Sequence, residues 1–115
     1  MKLSGVYRVD HFHGQGIEVD LKGQGPIEAI ARALDFPAWF GGNWDALEDC
    51  LGDLSWRKSP ETILVMKNFV RNDELGILID ILSSTAQFWA EQGESFVAVF
   101  VDPRRKLELP ELPAA

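Results

Sequence analysis

Ile17, Val19 and Leu21 alternate with Glu18, Asp20 and Lys22. This is the two-residue period of a strand with one buried and one wet face. Gly14-Gln15-Gly16 and Gly23-Gln24-Gly25 punctuate its two ends as turns. Pro26 suits the first position of a helix, where its missing N–H costs nothing. Ile27, Ile30, Ala31 and Leu34 then recur at helical spacing and make one apolar stripe. Pro37 ends that helix, because the residue before proline avoids the helical region. Asn43 is placed to cap a second helix running to about Leu54. Residues 56–61 read as a connection, and the apolar run 62–66 as a strand covered on both faces. Asn72 and Asp73 open a long helix in which Leu75, Leu78, Ile79, Leu82, Ala86 and Trp89 keep the apolar period. Gly93 is its C-terminal stop. Residues 96–101 form a second buried strand, and residues 6–9 a short strand ahead of all the others.

The order strand–helix–strand–helix–strand predicts an α/β fold with a small three-stranded parallel sheet flanked by helices. There is room for one extra N-terminal strand. The expected organisation is one domain over residues 1–102, followed by a tail over 103–115. Pro103, Pro110 and Pro113 make that tail read as extended and poorly ordered.

Charge narrows the class of partner. Acidic residues outnumber basic ones 18 to 11 among 115 residues, a formal charge of −7. A net anion is repelled by phosphate backbones, so direct nucleic-acid binding is not expected. Opposite fields steer encounter, so a basic protein partner is. The run Arg104-Arg105-Lys106 is too short to reverse this balance. The single cysteine, Cys50, allows no internal disulfide and suits a reducing compartment. Neither a signal-peptide core nor a run of ~20 apolar residues is apparent, so the expectation is a soluble, cytoplasmic protein with no membrane partner.

Chemistry concentrates in residues 34–56, LDFPAWFGGNWDALEDCLGDLSW. On a helix from Asn43 to about Leu54, Trp44, Ala46, Leu47, Cys50, Leu51 and Leu54 gather on one side. Asp45, Glu48, Asp49, Gly52 and Asp53 gather on the other, which carries four carboxylates and no cation. A lone acidic face is most simply a solvated one. This one follows Trp39 and Phe40, in a loop bounded by Pro37, Gly41 and Gly42, and aromatics beside focused charge are the material of binding hot spots. Of the four tryptophans, Trp56 and Trp89 are the best candidates for the core. Cys50 falls on the apolar side and reads as a buried small hydrophobe. His11 and His13 share one face of a strand with no further ligand spacing, so no metal site is expected. The glycine pairs lack a phosphate-loop lysine. Asp45 and Asp49 come without a nucleophile or an oxyanion donor, so no catalytic residue, cofactor or enzyme activity is expected.

The same segment resembles the signature of the barstar family of ribonuclease inhibitors: Leu-x-x-Pro, an aromatic pair, Gly, then Asn-x-Asp-Ala-Leu-x-Asp-Cys-Leu. That resemblance implies a tight protein–protein complex, in which the aromatic loop and the acidic helix enter a nuclease active site. The family's contact positions fall on Trp39, Gly41, Asn43, Trp44, Asp45 and Asp49, with Asp49 matching its central carboxylate. Phe40 and Glu48 complete the expected partner-binding set. The implied partner is a basic protein, an extracellular or toxin-type ribonuclease. Two other readings stand beside it: an immunity or antitoxin protein against a different basic toxin, and a non-inhibitory interaction module. The chain departs from the best-known family member at Glu48, where that member has an aromatic residue. It departs again at Phe88 and Gln92, where that member has acidic residues on its last helix.

Overall fold

A computed structural model describes residues 3–38, 40–55 and 61–113. Four strands and three helices follow in the order β1 (Gly5–Val9), β2 (Ile17–Asp20), α1 (Pro26–Ala33), α2 (Trp44–Asp53), β3 (Glu61–Lys67), α3 (Asp73–Glu91) and β4 (Ser95–Val101). The expected helices all form. α3 starts at Asn72, whose Oδ1 accepts from Leu75 N, and Gly93 lies just past its end with φ 78°. The connection read over 56–61 and the core role of Trp56 fall on 56–60, outside the described residues, and Glu61 already belongs to β3. No described helix is long and apolar enough to cross a membrane.

The sheet has four strands rather than three, in the order β1-β4-β3-β2, with every neighbouring pair parallel. The N-terminal strand is a full member, pairing with β4 from Gly5↔Val97 to Val9↔Val101. The helices pack on one face, against Val6, Val19, Leu64, Met66, Phe96, Ala98 and Phe100. Alternation sends Ile63, Val65, Val97 and Val99 to the other face, and Val65, Val97 and Val99 are buried there too.

Topology explains what covers that second face. The connections β2–α1–α2–β3 and β3–α3–β4 both step toward the β1 edge with their helices on the first face. The β1–β2 connection runs the opposite way, across two intervening strands. A right-handed crossover must therefore pass over the opposite face. Where this connection enters β2, Gly16 lies close on that face: a Cβ added there would stand 2.7 Å from Val65 Cγ2 and 3.3 Å from Ile63 Cγ2. Residues 10–16 form this crossover strap. His11 and His13 lie in this strap and not on a strand, which corrects the earlier reading of them. Both are exposed, and the described residues contain no cluster able to hold a metal ion.

The tail also departs from expectation. Residues 103–113 are tied back to the outer edge of β1: Arg8 N donates to Pro110 O at 2.9 Å, and Leu112 N to Arg8 O at 3.1 Å. Beneath this seam lies a buried ion pair, Arg8 (4% exposed) with Asp102 (1% exposed). Arg8 Nε is 3.6 Å from Asp102 Oδ2, a charge contact and not a hydrogen bond. Arg8 also hydrogen-bonds Asp10, Glu111 and the Asp102 carbonyl. Asp102 accepts from Lys106 N at 3.0 Å and Leu107 N at 2.9 Å. Burial alone would raise the Asp102 carboxyl pKa. The two N–H groups, helped by Arg8, outweigh burial and hold it below the ordinary value of 3.8. Asp10 is likewise lowered, chiefly by its hydrogen bond to Arg8.

Two tests follow from this packing. A depressed carboxylate contributes stability that is full above its unfolded pKa and lost as pH falls through its folded one. Asp102→Asn should therefore lower the melting temperature at neutral pH and flatten the acid limb of its pH profile below 3.8. Asp102→Ala, which leaves two N–H groups without their acceptor and takes a buried countercharge from Arg8, should cost about 3 kcal/mol in chemical denaturation. An unchanged acid limb in Asp102→Asn would rule this role out. Separately, Gly16→Ala should destabilise by about 1–3 kcal/mol through overpacking, and Val65→Ala should recover part of that loss in the double variant.

Candidate protein-binding face

α2 is built from its cap inward. Asn43 is extended (φ −124°, ψ 175°), and its Oδ1 accepts from Ala46 N at 2.8 Å, closing one orphan donor of the first turn. Leu47, Cys50 and Leu51 are fully buried, and Leu54 ends the helix in the left-handed region at φ 48°. The helix has no basic residue in its last turn. Its end is held instead by Trp89 of α3, whose Nε1 donates to Leu51 O at 2.8 Å. That carbonyl is one of the four a helix cannot satisfy internally. Trp89 is half-buried against the core, as its sequence position suggested.

With its inner face anchored, the helix presents Asp45, Glu48, Asp49 and Asp53 outward, all exposed. None of the four has an ion-pair partner among the described residues. Burial of Cys50, reinforced by the charges of Asp53 and Asp49, pushes its thiol pKa up, away from nucleophilic use.

The loop before α2 is less open than its composition suggests. Phe40 is half-buried, packs edge-on against Phe36 at 4.9 Å and 75°, and sits against the core. Phe40 N donates to Pro37 O at 3.0 Å, closing the turn. Trp44 is half-buried as well. Trp39 lies outside the described residues. Gly41 and Asn43 are exposed, and a Cβ at Gly41 would meet Ala46 Cβ at an ordinary 3.6 Å. The glycine that the backbone requires is Gly42, at φ 75°. The structure thus groups Gly41, Asn43, Asp45, Glu48 and Asp49 at the surface, with Phe40 and Trp44 as partly buried supports.

In the sequence, Phe88 stands out only as a departure from the family pattern. It is exposed (43%) on α3 and stacks edge-on against Trp89, 5.2 Å between ring centres. Through the Trp89–Leu51 bond it stands near the last turn of α2. An aromatic off the apolar stripe of α3 was the available signal.

Searches of curated proteins and of solved structures each returned no match. The family model described as Barstar (barnase inhibitor) matches residues 21–101. The match takes in all three helices, β3 and β4, and leaves β1, β2 and the segment after β4 outside. It spans well over half of the chain, and with it the whole acidic helix and its capping loop; the protein belongs to the barstar family of barnase inhibitors.

Proposed function

We propose that this protein inhibits a ribonuclease by setting the outward face of α2 and the loop before it into the enzyme's active-site cleft. The observation that carries this reading is the row Asp45, Glu48, Asp49 and Asp53: exposed, without an ion-pair partner among the described residues, on a helix whose other side is locked into the core. A ribonuclease site is built to hold phosphate with cationic side chains. A carboxylate accepts paired N–H bonds from arginine much as a phosphate oxygen pair does. Asp49, mid-helix, is the central group in this proposal, flanked by Asp45 and Glu48. Gly41, Asn43 and Trp44 contribute from the capping turn, with Trp39 and Phe40 in the loop before it. The protein acts by occupying the site and performs no chemistry itself. Placement in the cytoplasm, where such an inhibitor would guard cellular RNA, belongs to the same proposal.

One observation favours a partner outside the barnase type. Phe88 and Gln92 stand where the best-known family member has acidic residues on its last helix, one of them a contact, and Phe88 is exposed beside α2. A target facing it would offer an apolar pocket where a barnase-type enzyme offers charge. This supports the second reading, an immunity or antitoxin protein for a different basic toxin.

Binding to a purified barnase-type ribonuclease tests the proposal. Association should slow as ionic strength rises, because steering by the −7 charge is screened. Asp49→Ala should weaken the complex by at least ~2 kcal/mol, about 30-fold, mostly through faster dissociation. Asp53→Ala, one turn further from the loop, should cost less. Asp49→Ala should also keep the melting temperature or raise it slightly, since removing one like charge relieves about 0.2–0.5 kcal/mol per pair. Full RNA cleavage in the presence of excess wild-type protein would point to a different target. Wild-type binding by Asp49→Ala, or greater damage from Asp53→Ala, would discard the assignment of this helix.

A further inference from the structure

The opposite end of the sheet carries charge of the other sign. Past the C-terminal ends of β3 and β4, a cleft of about 530 Å³ is lined by Asn68, Phe69, Val70, Arg71, Pro103, Arg104 and Lys106, with the Asp102 turn at its base. It continues along the first turns of α3, where Arg71 and Lys106 still form its walls. Arg71, Arg104 and Lys106 are exposed and make no ion pair among the described residues. Three uncompensated cations thus converge on one cleft of a chain whose net charge is −7.

The loop that supplies two of them is built, not loose. The buried Asp102 carboxylate accepts from Lys106 N and Leu107 N, and the Asp102 carbonyl accepts from Arg105 N at 3.1 Å. Arg105 takes a left-handed conformation, φ 53°, and its guanidinium reaches the other way, to Asp10 and Glu111. The turn therefore spends Arg105 on the β1 seam and leaves Arg104 and Lys106 facing the cleft. On the far wall, Phe69 is fixed edge-on against Phe100, 6.0 Å between centres, and Val70 is left 62% exposed at the lip. In open parallel sheets, ligands bind in the crevice beyond the carboxyl ends of the strands. A volume of this size is that of a small-molecule site. Glu108 lines only the outer continuation, which sets a limit to the anion-binding part.

We propose that this cleft binds a small phosphate-bearing ligand of nucleotide size, its charge held by Arg71, Arg104 and Lys106 and its apolar part laid over Val70 and Phe69. The turn at 102–107, which supplies Arg104 and Lys106, lies beyond the residues that match the family model, whereas Arg71, Phe69 and Val70 lie within them. It is also remote from the C-terminal end of α2: Trp89, which holds that end, is about 24 Å along α3 from Asp73, the helix's first residue, at 1.5 Å per residue.

Calorimetric titration of the full chain at low salt tests it, with adenosine 5′-diphosphate, inorganic pyrophosphate and adenosine as probes. The diphosphate should bind more tightly than pyrophosphate and far more tightly than adenosine. Arg71→Gln and Lys106→Gln should each weaken it about tenfold or more, as loss of a charge-assisted contact does. Arg32→Gln, an exposed cation on α1, should bind like wild type, and all three variants should keep the wild-type melting temperature. Absence of binding by the diphosphate, equal binding by adenosine, or equal weakening in Arg32→Gln would overturn the proposal. So would a concentration-dependent dimer abolished by both Lys106→Gln and Asp49→Asn, since the cleft would then hold α2 of a second copy. Nuclease inhibition by the Arg71 and Lys106 variants should be unchanged, which separates this site from the acidic face.

Discussion

A parallel sheet can leave little of either face in water, because its central strands are apolar on both sides. Here β4 is buried at every position but its last, and its two neighbours press on it from both edges. Three helices cover one side. The other side falls to a single connection of seven residues, sent there by the handedness of the crossover. Much else follows from that economy. Where the strap enters β2 it comes so near Val65 that Gly16 has no room for a side chain. β1 must reach the far edge before the strap can start, so the sheet gains a fourth strand. That strand exposes a new edge, and the chain uses its own C-terminal segment to cover part of it.

The seam between β1 and that segment depends on Arg8 and Asp102. A buried pair of this kind seldom adds net stability over apolar residues of equal size, but breaking it is expensive. Its effect is better seen in what it orients. The Asp102 carboxylate fixes the turn that follows β4, and Arg8 draws in Asp10 at the start of the strap and Glu111 in the tail. One buried arginine thus joins the beginning of the strap to the end of the chain, positions with no local pattern in common.

That contrast explains what could be read from the sequence. The helices, their caps at Asn43 and Asn72 and the buried strands were legible because each is a local pattern of period 3.6 or 2. The orientation of α2 was legible for the same reason: Leu47, Cys50 and Leu51 lie inside, and Asp45, Glu48 and Asp49 outside. The strap was not legible, since nothing local distinguishes a glycine that ends a turn from one that lets two layers touch. The histidines were misplaced because alternation continues from β1 into the strap although the pairing does not. The tail looked loose because its prolines are local and its partner, Arg8, is about a hundred positions away. Phe40 looked like surface because an aromatic beside glycines gives no sign of Phe36 behind it.

The acidic helix shows how stability and recognition draw on the same groups. Asp45–Glu48, Asp45–Asp49 and Asp49–Asp53 are like-charge neighbours on one face, and together they cost the isolated helix about 1 kcal/mol. Asp45, in the first turn, recovers some of this from the helix dipole, while Asp53, near the last turn, is on the wrong end of it. The opposing terms are larger. Burying Leu47 and Leu51 contributes about 1.5–3 kcal/mol each, and the Asn43 cap about 1 kcal/mol more. The helix is therefore held by its inner face and its ends, which leaves the outer face free to carry a charge pattern that folding alone would disfavour. A cationic surface brought against that pattern replaces repulsion with attraction. The repulsion carried by the free helix is relieved on binding, and none of the contacts that hold the helix in place need move for that to happen.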